Sequence, residues 1–287
     1  MDATPLDRRL LIVSGKGGVG KSAVVASLAH VASRRGMRAL ALAMTDPIGL
    51  ATHLGAEELT PKAHELLPGV EAAFVDRSHA LDEYLRIQMR VPRAAPTRQL
   101  SRMLQVLVDT APGVREIISM GKPIYETWRG DYDIVIVDAP ATGQLGSYLR
   151  APATIASIVP SGGVRDQAER MRATLSDAAA CGVLLITTPD ELPVVETREM
   201  VASIEAEQLV AIAGVVFNRT LPDLGMSRSR IAALPPGPHR SAAQLHAGLY
   251  ESQQKLLPEL DSSGHLPFLF GLMTPPEVAA RLAEEWT

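Results

Sequence analysis

Eight residues constrain this chain more than any others: Gly15 to Ser22, GKGGVGKS, set between the apolar run LLIVS at 10–14 and the helix-period stretch SAVVASLAHVASRRG. The stretch fits G-x-x-x-x-G-K-[ST], and a strand before it with a helix after it is the context that separates a phosphate loop from a chance match. Glycines let such a loop wrap a ligand and turn its N–H groups inward, and the helix start adds its positive end. Gly15, Gly17, Gly18, Val19 and Gly20 are therefore expected to line a phosphate site. Lys21 is expected to reach the β- and γ-phosphates and the Ser22 hydroxyl to hold Mg²⁺.

The rest of the chain agrees with that start. β-branched runs recur at 39–44 (ALALAM), 132–140 (YDIVIVDAP), 183–189 (VLLITTP) and 212–218 (IAGVVFN), separated by longer helix-period stretches. Continuous apolar strands alternating with helices predict an α/β fold, a doubly wound and mostly parallel sheet covered on both faces. Between about 53 and 130 the pattern turns to helices with proline breaks at Pro92, Pro96 and Pro112, which predicts a helical insert within one domain spanning 1–287. Five arginines, Arg86, Arg90, Arg93, Arg98 and Arg102, crowd that insert near Met89 and Met103. A solvated helix face accounts for them better than a surface for an anionic partner does. The segment 221–244, rich in Pro, Gly, Ser and Arg, reads as a loose surface stretch, and the last ten residues as a short acidic closing helix.

Composition serves mainly to exclude. A net charge of −4 built from both signs gives no reason to expect nucleic acid. One cysteine, Cys181, rules out an internal disulfide and a cysteine-cluster metal site, so no bound zinc is expected. Residues 1–9 lack the apolar core of a signal peptide and no run is long enough to span a membrane, so the expected location is the cytoplasm.

The chain has five lysines, and two of them, Lys16 and Lys21, fall in the loop. The general motif requires only Lys21. With its entrance lysine, KGGVGKS resembles the deviant Walker A class of P-loop ATPases, which includes the arsenite-pump type, the tail-anchored-protein targeting ATPases, nitrogenase iron protein and the MinD and ParA proteins. The resemblance implies that Lys16 crosses a dimer interface to the nucleotide of the other subunit, a device comparable to an arginine finger. Many relatives carry a second hydroxyl residue after Ser22 to bond the α-phosphate. Ala23 stands there instead, and weaker nucleotide binding is expected from the loss of about 1.5–3 kcal/mol of gross hydrogen bonding.

Such a hydrolase also needs a carboxylate to position water and another near Mg²⁺. Asp46, in AMTDPIG, and Asp138, in VIVDAPATGQLGSYL, both end strands at the edge where the loop lies. Asp138 reads as the Walker B carboxylate, joining Ser22 at the metal, and Asp46 as the residue that orients attacking water. These segments narrow the resemblance to the arsenite-pump (ArsA) family over essentially the whole chain. Asp46-Pro47 resembles its first switch, and Asp138, Ala139, Pro140, Thr142 and Gly143 its second. The segments 111–122 and 187–197 are also family-like. VVFNR resembles the strand whose asparagine, here Asn218, reads adenine, and LPFLFGLMTPPE resembles the final strand and the loop against the base.

The resemblance implies ATP and ADP as ligands, Mg²⁺ as cofactor and a homodimer or a heterodimer with a related subunit, and it leaves a peripheral membrane or transporter partner open. Ile48 and Gly49 replace the family's Ala-His, which puts the coupling of the first switch in question. A cysteine triad for metalloid, a C-x-x-C zinc pair and cluster cysteines are all missing. Only about 35 residues separate Gly146 from the strand at 183, too few for a groove around a membrane segment. The reading is thus an ATP-driven dimeric switch with an unidentified client. The alternative is a weakly hydrolysing regulatory or scaffold subunit. A membrane- or DNA-positioning role finds no basic amphipathic C-terminal helix to support it.

Overall fold

The computed structural model describes residues 5–88 and 113–286. Numbered along the chain, its strands are β1 Leu10–Gly15, β2 Ala39–Ala43, β3 His64–Leu67, β4 Val70–Phe74, β5 Ile134–Asp138, β6 Cys181–Thr187, β7 Ile212–Thr220 and β8 Gly264–Pro267. They form one sheet in the order β3-β4-β2-β5-β1-β6-β7-β8. Every pairing is parallel except β3 with β4. The helices are α1 Lys21–Arg34, α2 Pro47–His53, α3 Arg77–Gln88, α4 Val114–Arg129, α5 Thr142–Ile158, α6 Gly163–Ser176, α7 Glu191–Glu207, α8 Arg228–Ala232, α9 Pro238–Leu256 and α10 Pro275–Leu282.

The central strands are buried along their whole length because helices cover both faces. Alternation along β1 divides the core in two. Leu11 and Val13 pack with Val24 and Leu28 of α1 on one face. Leu10 and Ile12 pack with Met120 and Ile124 of α4 and Leu145 and Leu149 of α5 on the other. This is the doubly wound arrangement expected from the apolar runs. β1 lies between β5 and β6, and in open α/β sheets ligands bind in the crevice beyond the carboxyl ends of such strands.

The span from about 53 to 130 differs from the expected helical insert in its first part. Pro68 and Gly69, the latter at φ 74°, reverse the chain between β3 and β4, and β4 joins the sheet beside β2. Val70 and Ala72 are buried against the α1 face and Ala73 against the other, so two-sided burial rather than a helical stripe governs these residues. Helix begins only at Arg77. Lys122 of α4 donates to Glu83 of α3 at 2.7 Å and to Glu126 at 2.6 Å, joining the two helices. The arginines of the insert from Arg90 onward, with Met89 and Met103, lie outside the described residues.

The segment 221–244 carries more helix than its composition predicts. Ser227 caps α8, whose Ile231 is buried, and Pro238 occupies the first turn of α9 where its missing N–H is harmless. Near the end, Thr274 and Glu277 form a capping box that starts α10. Trp286 then donates its indole N–H to Ser27 of α1 at 2.9 Å, fastening the tail beside the helix that leaves the loop. Among the described residues no helix is long and apolar enough to cross a membrane.

Candidate active site

The glycine-rich loop is pinned at both ends and open in its middle. At Gly15 the backbone runs so close to β6 that a Cβ would lie 2.0 Å from the Ile186 carbonyl oxygen. At Gly20, φ is 92° and a Cβ would fall 2.5 Å from Asn218 Nδ2. Gly17 and Gly18 have nothing within 4 Å of a Cβ, so that stretch borders open space. Val19 beneath it is buried in the α1 face of the core.

Asn218 sits where β7 ends, almost fully buried. Its Nδ2 donates to the Val19 carbonyl at 2.8 Å and its Oδ1 accepts from the Arg219 N–H at 2.9 Å. The side chain therefore braces the loop from the next strand but one. One amide N–H and one lone pair are left for another partner.

Ala23 lies in the first turn of α1, directly after Ser22. Its methyl group is buried in the α1 face of the core, so only its backbone N–H, in the first turn of the helix, is available to an anion.

The polar residues predicted from the motifs converge on the same rim. Ser22 Oγ donates to Asp138 Oδ2 at 2.6 Å. Lys21 Nζ donates to two loop carbonyls, Gly15 at 3.2 Å and Lys16 at 3.3 Å. Asp46 caps α2, its Oδ1 accepting from Gly49 N–H at 2.9 Å. Its other oxygen crowds the space over Gly49, where a Cβ would meet Asp46 Oδ2 at 2.5 Å and Ser22 Oγ at 3.1 Å. Any side chain at position 49 would thus press on both groups, and glycine there lets the start of α2 lie against the loop.

Electrostatics record the same convergence. Burial pushes the Asp138 carboxyl up to about 6, against the hydrogen bond from Ser22 and the charge of Lys21, while the charge of Asp46 adds to the rise. Burial also lowers Lys21, although the charges of Asp138 and Asp46 oppose that shift. A hydroxyl and a crowded carboxylate, both hard oxygen donors, suit a small divalent cation that keeps most of its water. The ordinary remedy for a buried carboxylate with a raised pKa is a nearby cation. The residues present therefore fit Mg²⁺.

Lys16 points away from this group. Its Nζ forms an ion pair with Glu196 Oε1 in the first turns of α7, and Glu196 Oε2 accepts from Thr142 Oγ1 at 3.3 Å. Glu196 did not stand out in the sequence because it lies 180 residues from Lys16. The only available signal was its position shortly after the carboxyl end of a β-run, in TTPDELPVVET.

Comparison with known proteins decides what this rim belongs to. Residues 8–161, more than half the chain, match the family model described as anion-transporting ATPase. The chain belongs to that ATPase family. ATPase BagA of Mycobacterium tuberculosis is 28% identical over 288 residues, covering 96% of this chain and 83% of that protein. ATPase get3 of Schizosaccharomyces japonicus is 30% identical over 149 residues, half of this chain and 44% of the relative. A putative arsenical pump-driving ATPase of Halobacterium salinarum is 24% identical over 237 residues, 76% of this chain and 36% of the relative. As an anion-transporting-type ATPase, the chain hydrolyses ATP on a P-loop fold, and its matched region contains the loop, Asp46, Asp138 and the strands that precede them.

Proposed function

We propose that the chain binds Mg-ATP in the loop 15–22 and hydrolyses it as one half of a dimer, cycling between two states to drive a client. The single observation that carries this reading is the meeting of Lys21, Ser22, Asp138 and Asp46 at one sheet rim beside an open glycine loop.

In this reading the backbone N–H groups of 17–23 cradle the phosphates and Lys21 leaves its two carbonyls for the β- and γ-phosphates. Ser22 and Asp138 would hold Mg²⁺, which when bound offsets the charge of the phosphates. Asp46 orients the attacking water with the oxygen that does not cap α2. Asn218 offers its remaining amide N–H and lone pair to adenine. Lys16 serves the nucleotide of a second subunit, either another copy of this chain or a related one. Glu196 within the same chain already neutralises it, which supports a role outside its own phosphate site. Because Asp46 caps α2 while Asp138 precedes α5, a γ-phosphate between them would bias both segments, and its loss would release them.

A Lys16→Ala variant is expected to bind ATP as the wild type does and to lose turnover, measured by calorimetry and phosphate release on the same preparation. Normal turnover in that variant would refute the assignment of Lys16. A second reading, a nucleotide-bound regulatory subunit that hydrolyses very slowly, draws on one observation: Ala23 is turned into the core and offers the α-phosphate no hydroxyl. Phosphate release from the chain alone and with a related subunit separates the two readings.

A further inference from the structure

The entrance lysine is not free in the single chain. Glu196 binds it with one oxygen and the Thr142 hydroxyl with the other. Thr142 is the first residue of α5 and lies four residues after Asp138, so a single carboxylate bridges the loop entrance to the segment that leaves the candidate metal site. Ser14 Oγ, at the end of β1, reinforces that segment by donating to the Pro140 carbonyl at 2.6 Å.

The same two helices are also tied farther along, midway through α5 and near the C-terminal end of α7. Arg150 of α5 donates to Ser203 of α7 at 2.8 Å and to Glu207 Oε2 at 2.5 Å. With α5 and α7 held together there, a shift of residues 138–142 falls on the weaker contact at the other end, Thr142 with Glu196. The carboxylate that keeps Lys16 at home is therefore the one disturbed when the segment after Asp138 moves.

We infer that Glu196 is a positioning residue that holds Lys16 against its own chain until the 138–142 segment rearranges, so that the lysine is delivered across the subunit boundary only when nucleotide is present. This rests on the proposed role of Lys16. The holding contact opposes the closed state, so weakening it makes closure easier at a given ATP concentration. The ion pair is half-exposed, with side chains 27% and 30% accessible, which limits its strength. An effect of about two- to fivefold is expected from a pair of that kind.

The test uses the full purified chain and two variants. In the absence of nucleotide, acylation of lysine amines mapped by mass spectrometry should show Lys16 reacting about two- to fivefold faster in Glu196→Gln than in the wild type, relative to exposed Lys62. In steady-state hydrolysis, Glu196→Gln should lower the half-saturating ATP concentration by a similar factor while kcat changes less than twofold. Glu196→Asp, which keeps the charge, should stay close to the wild type in both measurements and guards against a mere folding defect. Unchanged Lys16 reactivity, or an unchanged or raised half-saturation, overturns the inference while leaving the ATP site intact. Failure of the wild type to bind ATP in calorimetry would overturn the site reading itself. The acylation rates, read without nucleotide, would still show whether Glu196 holds the lysine.

Discussion

Two lysines of this chain sit among carboxylates, and their surroundings are opposite in kind. Lys122, between α3 and α4, is clamped by Glu83 and Glu126, and Arg129 reaches the second oxygen of Glu126 at 3.2 Å. Burial lowers its pKa, but the two carboxylates more than offset that, and the net shift is upward. Lys21 has Asp138 and Asp46 within electrostatic reach, yet its hydrogen bonds go to two backbone carbonyls and, among the described residues, it makes no ion pair within 4 Å. Its net shift is downward, with burial as the leading cause. One ammonium has its carboxylate partners in contact and serves to fasten two helices. The other is desolvated beside an open loop and spends its hydrogen bonds on backbone carbonyls, the kind of perturbed group that marks a candidate ligand site.

The comparison breaks most easily at Lys21. Replacing it by alanine removes the ammonium that the proposed site offers the phosphates, and ATP affinity measured by calorimetry should fall by about 100-fold or more, as expected for loss of a desolvated charge-assisted contact. The melting temperature should hold or rise, because no ion pair is lost. Retained affinity in Lys21→Ala would mean that the loop is not the phosphate site.

Lys122→Ala should do the reverse. Among the described residues it leaves buried Glu126 paired with Arg129 alone and removes the Lys122 partner of Glu83, so unfolding in denaturant should become easier by about 1–3 kcal/mol. ATP affinity per folded molecule should not change. A drop in affinity without a loss of stability would show that the insert communicates with the loop, and the division between the two clusters would fail.

How much of this was legible beforehand follows from the range of the interactions. β1, β2, β5 and β6 are visible as apolar runs because each is buried on both faces, β7 because its centre is buried, and the runs of β1, β2, β5 and β7 lead into or end at candidate site residues. The loop, Asp46, Asp138 and Asn218 could be placed because strand ends bring them to one rim whatever the side-chain packing. β3 and β4 escaped notice because they are short and carry His64, Glu65 and Glu71, which blur the alternation at a half-exposed edge. The Pro68-Gly69 turn was the signal that could have revealed them. Glu196 and the turn of Ala23 into the core depend on packing across the sheet, and no local spacing encodes that.

The smallest expected effect sharpens the contrast through pH. Asp138 is raised to about 6 mainly by burial, so between its unfolded value near 4 and about 6 the folded chain holds a proton that the unfolded chain releases. Stability from this group is therefore fully present below about pH 4 and is lost as pH rises through about 6. Asp138→Asn keeps an acceptor for Ser22 Oγ and removes the titration. In the absence of nucleotide and Mg²⁺ the variant should match the wild type near pH 4 and exceed it by on the order of 1–2 kcal/mol at pH 7.5, measured by denaturant unfolding. Mg-ATP should reduce that advantage by stabilising the wild type more than the variant, since a cation beside Asp138 favours its charged form. An equal gain at both pH values would mean that Asp138 is not strained by burial, and the loop cluster would then be as fully satisfied as the one around Lys122.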